Sequence, residues 1–219
     1  MSKCKYLNPP TDIDWRNTES VWFAEPSNHR LVPGGTEYED RYFFVRDQVT
    51  PGSKVLDIGC NCGQLAENLT RDLACEVVGV DIVGEFIAHC RSDKAKYGTY
   101  YEADFSRMDP DLFDQAGLWG TFDAVTALEV IEHPIDVRGF RDNVIKALKP
   151  GGRLIITTPH PISGRYGYRY MNSHAHHVRM WSRLRLEMVF GPCLVFRGVC
   201  GPPDEPGHIA AVFAFGEAT

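Results

Sequence analysis

The chain has 219 residues, 43% of them apolar, a formal charge of −6 and a pI near 5.7. That length and apolar content fit one domain with a full core, and the acidic balance argues against broad steering onto nucleic acid. The first ten residues, Met-Ser-Lys-Cys-Lys-Tyr-Leu-Asn-Pro-Pro, contain no apolar stretch of the signal-peptide kind, and no run nears the ~18 apolar residues of a spanning helix. Seven cysteines without paired metal spacing read as reduced thiols, so the chain reads as soluble and cytoplasmic, without a membrane partner.

Residues 1–35 are rich in Pro, Asn and aromatics and read as an N-terminal arm pinned by Trp15, Trp22 and Phe23; residues 36–219 form the domain proper. A helix follows Thr36, with Tyr38, Tyr42, Phe43 and Val45 on its apolar face. Residues 53–58 form a strand ending in Asp57, and Gly59, Asn61 and Gly63 then make a turn. Leu65, Ala66, Leu69 and Leu73 space a helix over 63–74. Strand–glycine turn–helix is the arrangement that brings backbone N–H groups against a nucleotide-like ligand. Cys60 and Cys62 are small fillers of that turn, and Asn61 is expected to be left-handed.

The alternation continues with strand 76–81 ending in Asp81, helix 84–95, a strand near 98–102, a short helix near 110–116, strand 121–127, helix 136–148 and strand 153–158. Such βα units predict a doubly wound, mostly parallel sheet with helices on both faces. The spacing around the first turn, Asp-x-Gly-x-Asn-x-Gly, departs from the Gly-x-Gly-x-x-Gly of dinucleotide dehydrogenases. An acid beside the turn suits a cationic amino-acid ligand better than a pyrophosphate.

Five segments in order carry a resemblance: Asp57-Ile58-Gly59-Cys60-Asn61-Cys62-Gly63, Asp81, Glu102-Ala103-Asp104-Phe105, Phe122-Asp123-Ala124-Val125, and Leu148-Lys149-Pro150-Gly151-Gly152-Arg153-Leu154. They resemble the motifs of class I S-adenosylmethionine-dependent methyltransferases, over roughly residues 30–160. The resemblance implies a Rossmann-like sheet of seven strands, one antiparallel, the last two (Pro192–Cys200 and His208–Phe215) forming a hairpin. It also implies S-adenosylmethionine as cofactor. Asp57, Gly59, Asn61 and Gly63 would surround the methionine part, Asp81 the ribose, and Ile82, Asp104 and Phe105 the adenine, with Leu128 a further contact.

The strand after Phe122 exits into Leu128-Glu129-Val130-Ile131-Glu132-His133. At helical spacing Glu129, Glu132 and His133 share one side. Three readings stay open for them: acceptor-site residues with His133 as base, a divalent-metal set completed by His177, or capping near Pro134. A similar Glu-x-x-Glu-His is found in ubiquinone-pathway O-methyltransferases and in metal-dependent methyltransferases of the RNA terminal 2′-hydroxyl. After 158 an irregular stretch bearing His160, Arg165, Tyr166, His174, His176 and His177 leads to a helix at 182–190, and 160–180 reads as a substrate lid. The reading favoured is methyl transfer to oxygen of a small metabolite or saccharide, with His133, His160 and His177 deprotonating or orienting the acceptor and no obligatory metal. An RNA enzyme and a non-catalytic cofactor-binding module are the alternatives.

Overall fold

A computed structural model describes residues 37–107, 110–133, 135–161, 177–200 and 207–216. The N-terminal arm and most of the expected lid lie outside them. Helices α1 (Glu37–Arg46), α2 (Gln64–Leu73), α3 (Gly84–Asp93), α4 (Pro110–Gln115), α5 (Val137–Ala147) and α6 (Arg183–Phe190) alternate with strands β1 (Lys54–Ile58), β2 (Glu76–Asp81), β3 (Thr99–Glu102), β4 (Phe122–Leu128), β5 (Leu148–Pro159), β6 (Val195–Val199) and β7 (His208–Ala214). The strands form one seven-stranded sheet in the order β3-β2-β1-β4-β5-β7-β6. β7 alone runs antiparallel, with Ile155 opposite Val212 on one side and Val195 opposite Val212 on the other. The seven-stranded Rossmann-like expectation therefore holds.

The central strands are covered on both faces, which is why β1, β2 and β4 read as continuous apolar runs rather than alternating ones. One core layer joins the sheet to Phe113 of α4, Phe140 and Val144 of α5, and Leu186 and Phe190 of α6. The other joins it to Tyr42, Phe44 and Val45 of α1, Leu65, Ala66 and Leu69 of α2, and Ile87 and Cys90 of α3. One expectation is corrected here: Phe44 is fully buried while Phe43 is 43% exposed. The apolar run Tyr42-Phe43-Phe44-Val45 fits either choice, and the Tyr42 hydroxyl, donating to Asp72 of α2, sets the helix's rotation.

Local signals explain the boundaries. Gly63 caps α2 at φ 72, and Asp136 accepts the N–H groups of Arg138 and Gly139 at the start of α5. Ser182 caps α6 in the same way through Arg185. Strand order reverses between β1 and β4, so the crevice for a ligand opens at the carboxyl ends of these two strands. No helix among the described residues is long and apolar enough to cross a membrane.

Candidate active site

The turn after β1 is built for close approach. Gly59 has φ 72, and a Cβ there would stand 2.6 Å from Val130 Cγ2, so the β4 exit loop packs directly on it. Asn61 is left-handed at φ 47, as its sequence position led us to expect. Its side-chain oxygen accepts the Cys62 N–H at 2.6 Å, which is how Asn meets a geometry that glycine usually supplies. Asn61→Val removes that acceptor and crowds a left-handed backbone. A loss of roughly 1–2 kcal/mol, about 2–8 °C in Tm, is the expected outcome of thermal unfolding, with weaker cofactor binding beside it; an unchanged Tm refutes it. Cys60 is buried and Cys62 half-buried, as fillers should be, and Cys60 packs against Cys90 of α3.

Asp81 is the keystone of the floor. One carboxylate oxygen accepts the Asn61 N–H at 2.9 Å and the other the Val83 N–H at 3.0 Å. Burial raises its pKa, and these backbone donors oppose that. Asp57 is deeper, 3% exposed, and accepts the Thr126 hydroxyl at 2.8 Å. Burial pushes it up to about 7, Thr126 pulls against this and the charge of Asp81 adds to it. Ile82 and Leu128 are half-buried at the ends of β2 and β4 and offer apolar surface to the crevice. Asp104 follows β3, where its carboxylate accepts both the N–H (2.9 Å) and the hydroxyl (2.7 Å) of Ser106. The Phe105 ring is core, edge-on to Phe113 and Phe140.

The β4 exit corrects the helical picture of Glu129, Glu132 and His133. These residues form a turn, and Glu129 itself is left-handed at φ 58. Its carboxylate meets Arg41 of α1 (3.4 Å), the Thr157 hydroxyl of β5 (2.8 Å) and His208 of β7 (3.1 Å). Burial opposes its charge, but His208, Arg41 and Thr157 outweigh it and hold the carboxyl at about 2. Glu132 is fully buried; one oxygen accepts the Thr158 hydroxyl at 3.0 Å and the other has no hydrogen-bond partner among the described residues. Burial and the neighbouring Glu129 charge drive its pKa up, toward the neutral acid.

Of the three histidines expected to act together, two meet. The rings of His133 and His177 lie 5.1 Å apart, edge to face. The His177 segment is seated by the N–H groups of Val178 and Arg179, both donating to the Glu132 carbonyl, and by Arg179 donating to the His133 carbonyl at 2.8 Å. Ligand atoms of Glu132, His133 and His177 lie within 4.8 Å of one another, whereas Glu129 is drawn off by its own partners. His160, at the end of β5, instead sits beside His208, and burial followed by the His208 charge lowers its pKa. His208 went unnoticed in the sequence because nothing near it is a motif; β7 pairing brings it opposite Pro159. A separate open cavity of about 490 Å³ lies at the other end of the sheet, among the turns at 48–53 and 149–153, and has none of this chemistry.

Residues 36–191 match the family described as "Methyltransferase domain". The chain belongs to that family. Its fold is the class I S-adenosylmethionine-dependent one of these proteins. A ubiquinone biosynthesis O-methyltransferase of Xanthomonas axonopodis pv. citri is 32% identical over 131 residues, 59% of this chain and 51% of the relative. The mitochondrial protein of the same name from Dictyostelium discoideum is 33% identical over 172 residues, 67% and 52% of the two chains. The chain thus spans about half the length of these relatives. Among solved structures, the N-methyltransferase NodS of Bradyrhizobium japonicum in complex with S-adenosyl-L-homocysteine superposes with a TM-score of 0.67 at 18% identity, covering 91% of this chain and 97% of that one, a likeness of fold.

Proposed function

We propose that this methyltransferase-family protein moves a methyl group from S-adenosylmethionine to a hydroxyl oxygen of a small metabolite. The observation that carries this reading is that His177 packs on His133 of the β4 exit loop, the loop that packs through Val130 on the Gly59 turn. Donor and acceptor sites are then neighbours. The relatives named for O-methylation in ubiquinone biosynthesis support oxygen as the accepting atom.

The sulfonium donor is already activated, so the protein chiefly aligns two reactants and takes up one proton. Asp81 would accept from the ribose hydroxyls with lone pairs left over from its backbone donors. The half-buried Ile82 would lie along the adenine, Asp104 would accept from the adenine amino group, and the Phe105 N–H would donate to the ring. Asp57 would face the methionine end, with Leu128 as a further contact. A neutral imidazole at His133 or His177 would take up the acceptor's hydroxyl proton, the sulfonium donor supplying the methyl group, and His160 would guide the acceptor from the β5 side. We infer a reducing, cytoplasmic setting from the six described cysteines, all free thiols.

Asp57 gives the cofactor reading a pH signature. A carboxyl at about 7 is largely neutral below that pH in the empty site. A cationic ligand prefers the carboxylate, so binding expels a proton there, and affinity is expected to rise from pH 6 to 8 and then level off. Calorimetry in buffers of different ionisation heat measures the released proton. Asp57→Asn should flatten the profile, and a wild-type affinity that ignores pH over this range would overturn the assignment.

A second reading is favoured by one observation, the converging Glu132, His133 and His177 with one carboxylate oxygen unpartnered. Such a mixed oxygen–nitrogen set fits a divalent ion, which would act as a Lewis acid on the acceptor oxygen. The test is mass-spectrometric detection of methylated product from a panel of catechols, phenols and sugars, with and without EDTA. Turnover that survives EDTA supports the histidine reading. Turnover lost to EDTA and restored by Mn²⁺ or Mg²⁺ replaces it with the metal one.

A further inference from the structure

Glu129 is placed at a cost. A non-glycine residue in the left-handed region is strained, and a largely desolvated ionic cluster is commonly no more stable than an apolar one of the same shape. A glycine among apolar neighbours would make the same bend more cheaply. Yet the Glu129 N–H donates to the Thr157 carbonyl at 3.0 Å, and its carboxylate joins α1, β5 and β7 through Arg41, Thr157 and His208. The bend at this residue sets the course of the next four, which include Val130 against Gly59 and the Glu132-His133 pair. One side chain therefore ties α1, β5 and β7 together at the start of the turn that carries Val130 and His133.

We propose that Glu129 and His208 are positioning residues, a hub that holds the acceptor-side turn in register with the Gly59 turn and seats α1 on both. This rests on the methyltransferase reading of the crevice. His208 fixes one carboxylate oxygen from β7, 4% exposed and so unable to drift. Arg41 and Thr157 share the other, so the three partners together fix the orientation of the Glu129 side chain. Through this hub the geometry of His133 depends on a strand that carries no part of the cofactor motifs.

Glu129→Gly separates the backbone from the side chain, because glycine adopts φ near +58 freely. The expected result is a folded protein with Tm within a few degrees of wild type, S-adenosylhomocysteine affinity at least tenfold weaker by calorimetry, and a displaced His133 imidazole signal in NMR spectra assigned with His133→Gln. His208→Leu should reproduce the loss, His208→Gln, which keeps a donor, should recover most of it, and Glu129→Gly/His208→Leu should be no worse than Glu129→Gly alone. Full affinity together with an unmoved His133 signal in Glu129→Gly overturns the hub, as does a double variant whose losses simply add. A wild-type protein that fails to bind S-adenosylhomocysteine defeats the cofactor reading instead, and the His133 signal still decides the hub.

Discussion

Asp81→Ala is expected to weaken S-adenosylmethionine and S-adenosylhomocysteine binding by about a hundredfold or more. Two charge-assisted hydrogen bonds to the ribose are lost, each worth roughly 1.5–3 kcal/mol, and 1.4 kcal/mol is a factor of ten. The turn suffers as well, because the N–H groups of Asn61 and Val83 both end on this carboxylate, and the left-handed Asn61 then has one anchor fewer. Asp81→Asn retains one oxygen acceptor and should fall between the two. Calorimetric titration of folded protein is the measurement. Unchanged affinity in Asp81→Ala would remove the residue from the cofactor site.

His133→Ala should act on the other half of the reaction. A well-placed general base contributes roughly 10²–10⁴ in rate, so kcat with any accepted hydroxyl substrate is expected to drop by that order. Cofactor affinity should stay within about threefold, since the donor end is intact. His177→Ala should behave alike, because its ring packs edge-on to His133 and its segment is hung from the Glu132 and His133 carbonyls. His160→Ala is expected to be milder, as it sits with His208 and not with the pair. Loss of cofactor binding in His133→Ala, at full stability, would count against an acceptor-side role.

These contrasts follow from how the chain divides its work between local and distant contacts. The β1 turn acts through residues adjacent in sequence, so its chemistry is readable as a string: an acid, two glycines and an asparagine that covers its own left-handed bend. The β4 exit is different. Glu129, Glu132 and His133 have the spacing of one helical face, but the face never forms, because Thr157, Arg41 and His208 draw Glu129 out of it. The same spacing thus yields a hub and a separate Glu132–His133–His177 cluster.

Sequence alone determined the alternating βα order, the strand-end acids Asp57 and Asp81, the glycine-bearing turn after β1 and the two last strands, because hydrophobic period, glycine placement and capping are properties of neighbours. The tertiary structure alone decided that Phe44 rather than Phe43 enters the core, that Asp104 is spent partly on Ser106, and that His133 pairs with His177 while His160 does not. It also brought His208 to Glu129, which depends on the antiparallel register of β7 against β5. Register between distant strands is set by which faces the whole sheet buries, and a string of residues does not hold that information one window at a time.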